Sequence, residues 1–264
     1  MSADLRLEGL VLRSSPLGES DRLITVLSGA EGLIRLAAPG ARKPKSSMAA
    51  AVPLALLSLQ VGGRGDLKRV RQISVQRNFS ALAERLETLA AAQGLAEQTL
   101  LLVPGGDGVP GVLEDVLLQL ARLELVVKER QQSLEALAIA VQGVVHLLAL
   151  GGYALPLASC ARSGAPLEPP LGNWEWRCSV LPGEGFVIGG VAGAQLVLNA
   201  SELALLQRLP RPALPRRRDG ELMGPLPVWL RLLHLVELWS REHLAKSPRS
   251  WRLLRHCFSD GASS

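Results

Sequence analysis

The sequence predicts an α+β chain: five short strands closing a small barrel over residues 1–79, an α-helical body over residues 80–258, and a disordered tail over 259–264. Three observations carry this. Apolar runs in the first 80 residues are short and separated by Gly-rich turns, the mark of strands. From Ser80 onward the apolar period changes to three-and-four, the mark of helices. At 264 residues with 48% hydrophobic composition, the chain can bury a sizeable core and fill two domains of ordinary size.

Residues 5–12 and 23–27 read as the first two strands, separated by the polar turn Gly18-Glu19-Ser20-Asp21, and residues 33–38 follow the turn 29–32 as the third. Residues 54–61 make a fourth, the turn Gly62-Gly63-Arg64-Gly65 reverses the chain, and residues 67–76 make a fifth. Five short strands in so few residues suit a closed barrel such as an OB-fold, which hides its sheet edges by closure.

Between the third and fourth strands lies Gly40-Ala41-Arg42-Lys43-Pro44-Lys45-Ser46, three cations on a connector stiffened by proline. The fifth strand adds Lys68, Arg69 and Arg71, with Arg64 in the preceding turn, and alternation puts Arg69 and Arg71 on one face. With Arg35 these give seven candidate phosphate contacts: Arg35, Arg42, Lys43, Lys45, Lys68, Arg69 and Arg71. Residues 1–80 hold twelve Lys/Arg against six Asp/Glu, while the remainder is nearly balanced, so the cationic surface belongs to the barrel. Phe79 is the one aromatic residue in that stretch. With almost no stacking platform, nucleic acid held here is held by its backbone, leaving bases free to pair.

Ser80 is placed to cap a helix carrying Leu82, Leu86 and Leu89 and continuing to Val103, with Gly94 as a break. The run 104–111, rich in glycine and proline, ends it. Two apolar helices follow, at 112–130 and 133–150. Residues 151–198 read as irregular; Asn199 or Ser201 then caps a short helix to Leu209. A Pro/Arg-rich connector containing Arg216-Arg217-Arg218 runs to Pro227, and helices at 228–244 and 248–257 complete the chain, the first with Trp229 and Trp239 facing the core.

Three cysteines cannot form a closed disulfide framework, and Asp4, Arg6 and Glu8 occupy the place of an apolar leader, which points to the cytoplasm. Residues 136–160 carry no formal charge, but Gln142, His146, Gly151-Gly152 and Pro156 interrupt them, as expected of a buried core helix and a loop, not a membrane span. No phosphate-binding Gly-x-x-x-x-Gly-Lys-Ser/Thr loop occurs, and the glycines at 183–193 lack dinucleotide-binding spacing, so no cofactor is expected. A metal-dependent nuclease would need more carboxylates than Glu19 and Asp21, which the turn itself accounts for. An RNA-binding barrel shares every electrostatic argument for DNA.

The run Leu10-Val11-Leu12, the turn Gly18-Glu19-Ser20-Asp21-Arg22, the basic loop, and Gly152-Tyr153-Ala154-Leu155-Pro156 before Cys160 together resemble the RecO family of DNA repair proteins. The resemblance covers nearly the whole chain and is weakest at 161–194. It implies an OB-fold joined to a helical domain. It also implies a non-enzymatic protein that binds single-stranded DNA, anneals strands coated by single-stranded-DNA-binding protein, and works with RecR, and often RecF, to load RecA at gaps. The acidic, apolar tail of single-stranded-DNA-binding protein is expected to dock on the helical domain, with Arg216, Arg217 and Arg218 as candidates for steering it.

Many relatives carry a zinc site of two Cys-x-x-Cys pairs after the Gly-Tyr-x-x-Pro turn. Here Cys160 stands where the first pair begins, its partner position is Ser163, and the second pair is missing, with Cys178 alone upstream of it. The segment is therefore expected to be zinc-free, with Trp174, Trp176, Phe186, Val187 and Ile188 forming a small apolar sub-core in the ion's place.

Overall fold

The computed structural model describes residues 5–63, 67–106 and 108–259. Arg64 and the tail residues 260–264 lie outside the described residues.

Strands β1 (Leu5–Leu17), β2 (Asp21–Ser28), β3 (Gly32–Ala38), β4 (Ala55–Gly62) and β5 (Lys68–Asn78) close in the order β1-β2-β3-β5-β4, with β4 returning to β1. All pairings are antiparallel except the short parallel contact of β3 with β5, where Ala37 faces Arg69. Leu7, Val11, Ile24, Val26, Leu36, Leu57, Leu59 and Val70 fill the barrel, and Ala41, Met48 and Ala51 from the β3–β4 connection close one end. Gly9 lets β1 and β2 pass closely, since a Cβ there would sit 2.6 Å from the Leu27 carbonyl oxygen. β1 runs five residues beyond the expected strand. A bulge between Val11 and Arg13 resets the register, and ladder bonds to β2 carry Arg13 to Leu17 although their side chains do not alternate.

The barrel's outer face is not all solvent. Leu10, Leu12, Leu27, Leu54, Leu56 and Phe79 join the core of the helical body, so one apolar core runs through both parts. Arg77 crosses the junction, donating to Glu124 at 2.8 Å and lying over the Phe79 ring at 4.4 Å. Burial alone would raise the Glu124 carboxyl's pKa; the bonds and charges of Arg77 and Lys128 outweigh it and hold the group below its ordinary value.

The body contains α1 (Leu86–Leu102), α2 (Val112–Lys128), α3 (Ser133–Leu150), α4 (Ala200–Leu206), α5 (Leu226–Leu244) and α6 (Ser250–His256). The first helix differs from expectation in where it breaks. Ser80 opens only a 3-10 turn over Ser80–Glu84, and the chain straightens at Arg85. There the guanidinium donates to the carbonyls of Val126 and Gln131 and to Ser133 Oγ, fastening the end of α2. Gly94 does not break α1; it lies under the Trp251 indole. α3 is long and apolar enough to cross a membrane by composition, but it is the central core helix, packed by α1, α2 and α5. Trp229 and Trp239 are buried as expected.

The polar interruptions of α3 have a task. Gln142 Nε2 donates to the carbonyls of Arg211 and Ala213, Arg122 donates to that of Pro212, and His146 Nε2 lies 2.9 Å from that of Leu209. Together they hold the connector after α4. Its Arg216 is committed to Glu135 in a two-pronged pair at 2.8 Å, so it is not a free steering charge.

The expectation of an irregular stretch at 151–198 is corrected in part. β6 (Arg177–Leu181), β7 (Gly185–Ile188) and β8 (Leu196–Asn199) form a sheet in the order β7-β6-β8. Asn199 then caps α4 in a reciprocal arrangement with Glu202. The expected sub-core is half right: Phe186 and Val187 are buried and Trp176 packs, half-buried, against the main core, but Ile188 is exposed and Trp174 is 83% exposed.

Candidate nucleic-acid interface

Leu10 and Leu12 of β1, Leu27 of β2 and Leu56 of β4 face the helical core, while the expected cations of β3 and β5 are exposed. Arg35 is exposed on β3 between buried or half-buried neighbours, and Ala37, two residues on and on the same face, pairs with Arg69. Val70 is buried in the barrel and its neighbours Arg69 and Arg71 are exposed; Arg71 sits at a register shift, between Val70, which pairs with Val61, and Gln72, which pairs with Gln60, so its exposure is not a product of simple alternation. Lys68 has the inward parity of Val70 but, as the first residue of β5, emerges at the barrel mouth and is exposed.

The basic loop is folded back onto the β1–β2 turn. Arg42 N–H donates to the Ser20 carbonyl at 2.9 Å, and the Arg42 guanidinium donates to that of Gly18 at 3.1 Å. Asp21 is the anchor: its Oδ1 accepts from Gly40 N–H at 2.8 Å and from Ser20 Oγ at 2.9 Å, and Oδ2 lies 3.9 Å from Arg69. The Gly40 N–H foremost, then the Ser20 hydroxyl, and then the charges of Arg69 and Lys43 hold the Asp21 carboxyl below its ordinary pKa. Arg69, Lys43 and the hairpin turn therefore share one neighbourhood, and Asp21 braces the loop against the turn. Sequence reasoning found the turn but not this role, because nothing in the chain signals that residue 40 returns to residue 21.

After the fold of Gly40, Lys45 takes a left-handed backbone (φ 57°), and Ser46 Oγ accepts from Met48 N–H to start the 3-10 turn Ser47–Ala50. Ala41 is buried, while Arg42, Lys43 and Lys45 are exposed. The side chains of Arg35, Lys45 and Lys68 make no hydrogen bond or ion pair among the described residues. The arrangement is an exposed surface carrying several cations and no aromatic side chain.

The residues do not fit the family's zinc ion. Cys160 is buried, Ile188 N–H donates to its sulfur at 3.4 Å, and Ser163 stands at the second ligand position of the turn. Bonds from the Ser163 hydroxyl, then from backbone N–H groups, lower the Cys160 thiol to about 7, while burial raises Cys178 to about 11. The Cys160 sulfur is held by hydrogen bonds, but among the described residues no three His, Cys, Asp or Glu side chains group to hold a metal.

A closed five-stranded barrel with an exposed cationic face, fused through one core to a helical body, defines a class of two-part OB-fold proteins. Residues 1–79 match the family description "Recombination protein O N terminal" and residues 83–252 match "Recombination protein O C terminal". A DNA repair protein RecO from Synechococcus sp. (strain WH7803) is 60% identical over 260 residues, covering 98% of this chain and 96% of that protein. One from Prochlorococcus marinus (strain MIT 9303) is 60% identical over 256 residues, covering 97% and 96%. A more distant one, from Thermosynechococcus vestitus, is 32% identical over 286 residues, covering 100% and 99%. The chain belongs to the RecO family of DNA repair proteins.

Proposed function

We propose that the protein is a non-enzymatic, cytoplasmic mediator that holds single-stranded DNA by its phosphates on the β3–β5 face and basic loop and anneals it to a complementary strand. The observation that supports this most is the placement of Arg35, Arg42, Lys43, Lys45, Lys68, Arg69 and Arg71 on the side of the barrel that the helical body leaves open. With no aromatic side chain in that surface, contact is to the backbone and bases remain unstacked and available for pairing. RecR, the tail of single-stranded-DNA-binding protein and, indirectly, RecF and RecA are the partners that family membership suggests for loading at gaps.

Titrating a labelled oligonucleotide with the protein by fluorescence anisotropy tests the assignment. If about 4 to 6 phosphates are engaged, log K falls against log[salt] with a slope of roughly −3 to −4. Replacing Arg42, Lys43 and Lys45 together by alanine flattens that slope by about 2, with little change in melting temperature, because exposed loop charges contribute little to folding. A slope near zero, a preference for a matched RNA competitor, or shortening of the strand with magnesium present refutes it.

A further inference from the structure

Two surface features that phosphate binding leaves unused are complementary to each other. The first is the loop at 168–176, whose Trp174 and Leu171 are 83% and 69% exposed, the highest values of any large apolar side chains among the described residues. The loop is built, not slack. Asn173 N–H donates to the Pro170 carbonyl at 3.0 Å, and Asn173 Oδ1 accepts from the N–H groups of Glu175 and Trp176 at 3.0 and 3.1 Å. Arg177 braces the carbonyls of Trp174 and Trp176 from below. Glu168 and Glu175 flank the two apolar side chains, and no Lys or Arg occurs from 163 to 176. Pre-organised display of an indole beside carboxylates is the form of an interface anchor.

The second is a groove of about 540 Å³ where β1 and Pro53–Leu54 meet α1 and the turn between α5 and α6. Its floor is apolar: Leu12, Leu54, Ala96 and Leu100. Its rim carries Arg13, Lys246 and Arg249, all exposed and making no side-chain hydrogen bond or ion pair among the described residues. Glu97, the one carboxylate in the lining, is already bonded to the N–H and Oγ of Ser250 at 3.0 Å. The size suits one or two large apolar side chains, and the rim suits carboxylates beside them.

We infer that Trp174 and Leu171 of one copy of the protein dock in this groove of a second copy, with Glu168 and Glu175 facing Arg13, Lys246 and Arg249. Within one chain the loop stands open to solvent, so the match is satisfied between chains. The contact joins two different patches and is heterologous, so copies add head to tail or close a ring. Its small size makes it weak, with dissociation in the micromolar range.

Sedimentation velocity of the full chain at low salt, from about 1 to 200 μM, reads the association directly against that expected range. The mass is expected to rise with concentration, and Trp174→Ala to weaken association about 30-fold, the effect of truncating a central aromatic anchor. The double variants E168K/E175K and R13E/R249E are each expected to be monomeric with unchanged circular dichroism. Mixed in equal amounts, they associate again, because the unaltered loop of R13E/R249E meets the unaltered groove of E168K/E175K and the reversed charges match in the opposite pairing. A single mass throughout, association that survives Trp174→Ala, or no recovery in the mixture overturns the inference. So does a Trp174→Ala protein that loses DNA affinity while associating normally, which assigns the loop to nucleic acid.

Discussion

Replacing Gly94 by alanine sets helix propensity against packing, and the structure says which wins. Alanine is favoured over glycine inside a helix by up to about 1 kcal/mol. Here, however, the new Cβ would lie 2.5 Å from Cε3 of Trp251 and closer still to Cζ3 and Cη2. Carbon atoms rest about 3.5 to 4 Å apart, so the indole must retreat by more than about 1 Å. It has little room, because Trp251 is fully buried on α6, and α6 is tied down by Glu97 at Ser250 and by Glu237 at Arg255. Overpacking of this kind costs about 1 to 3 kcal/mol. Three ring atoms are struck at once, which places the cost at the upper end and the net destabilisation at about 1 to 2 kcal/mol. Urea unfolding followed by tryptophan fluorescence measures it as a lower midpoint at unchanged slope. In a Trp251→Leu background the obstacle is gone, and the same substitution becomes neutral or stabilising, a coupling of about 1 to 3 kcal/mol. A Gly94→Ala protein more stable than the parent would refute the reasoning.

Three further outcomes follow. Both nitrogens of His146 face acceptors, Asp115 on one side and the carbonyls of Leu209 and Arg211 on the other, so only the doubly protonated ring satisfies all of them. Burial alone would lower this ring's pKa, but the bond and charge of Asp115 and the two carbonyls outweigh it and raise the value above 6.5. Its stabilisation is therefore complete below pH 6.5 and lost as pH rises through the raised value; a melting temperature that falls over this window in the parent and not in His146→Gln is the expected result. Asp21→Asn keeps an acceptor for Gly40 but removes the charge beside Arg69 and Lys43, so DNA affinity at low salt should rise about twofold to fivefold by anisotropy titration; a fall would contradict the placement of DNA on this face. Protein purified without added metal should contain far less than one zinc per chain by elemental analysis, and a chelator should leave its melting temperature unchanged, because Cys160 lacks the partners to close a site.

The barrel was legible because its short apolar runs close over an apolar interior, whereas the exposure of Arg71 on β5 goes with a register shift that alternation does not foresee. What escaped depends on contacts distant in sequence. Residues 13–17 carry no alternation and are strand only because β2 lies beside them. β6, β7 and β8 are 5, 4 and 4 residues long, too short for a period to declare itself. Arg85 ends one helical segment because α2 stops beside it, and Gly94 is small because Trp251, 157 positions later, covers it. At the candidate site the residue types and exposure of the cations were foreseen, whereas the Asp21 brace required closure of the loop onto the turn. Trp174 was assigned to a sub-core on hydrophobicity alone; the Asn173 turn that lifts it into solvent is a matter of backbone geometry.

The shared core has a mechanical consequence. Leu10, Leu12, Leu27, Leu54, Leu56 and Phe79 belong to the barrel by chain position and to the helices by packing, so the two parts share one apolar core among the described residues. Moving the barrel against the helices would have to open that core and expose its apolar side chains to water, at a cost of about 25 cal/mol per Å². Cutting the chain near residue 80 would leave both fragments with raw apolar faces, so the unit that moves, and the unit that must be made intact, is the entire chain.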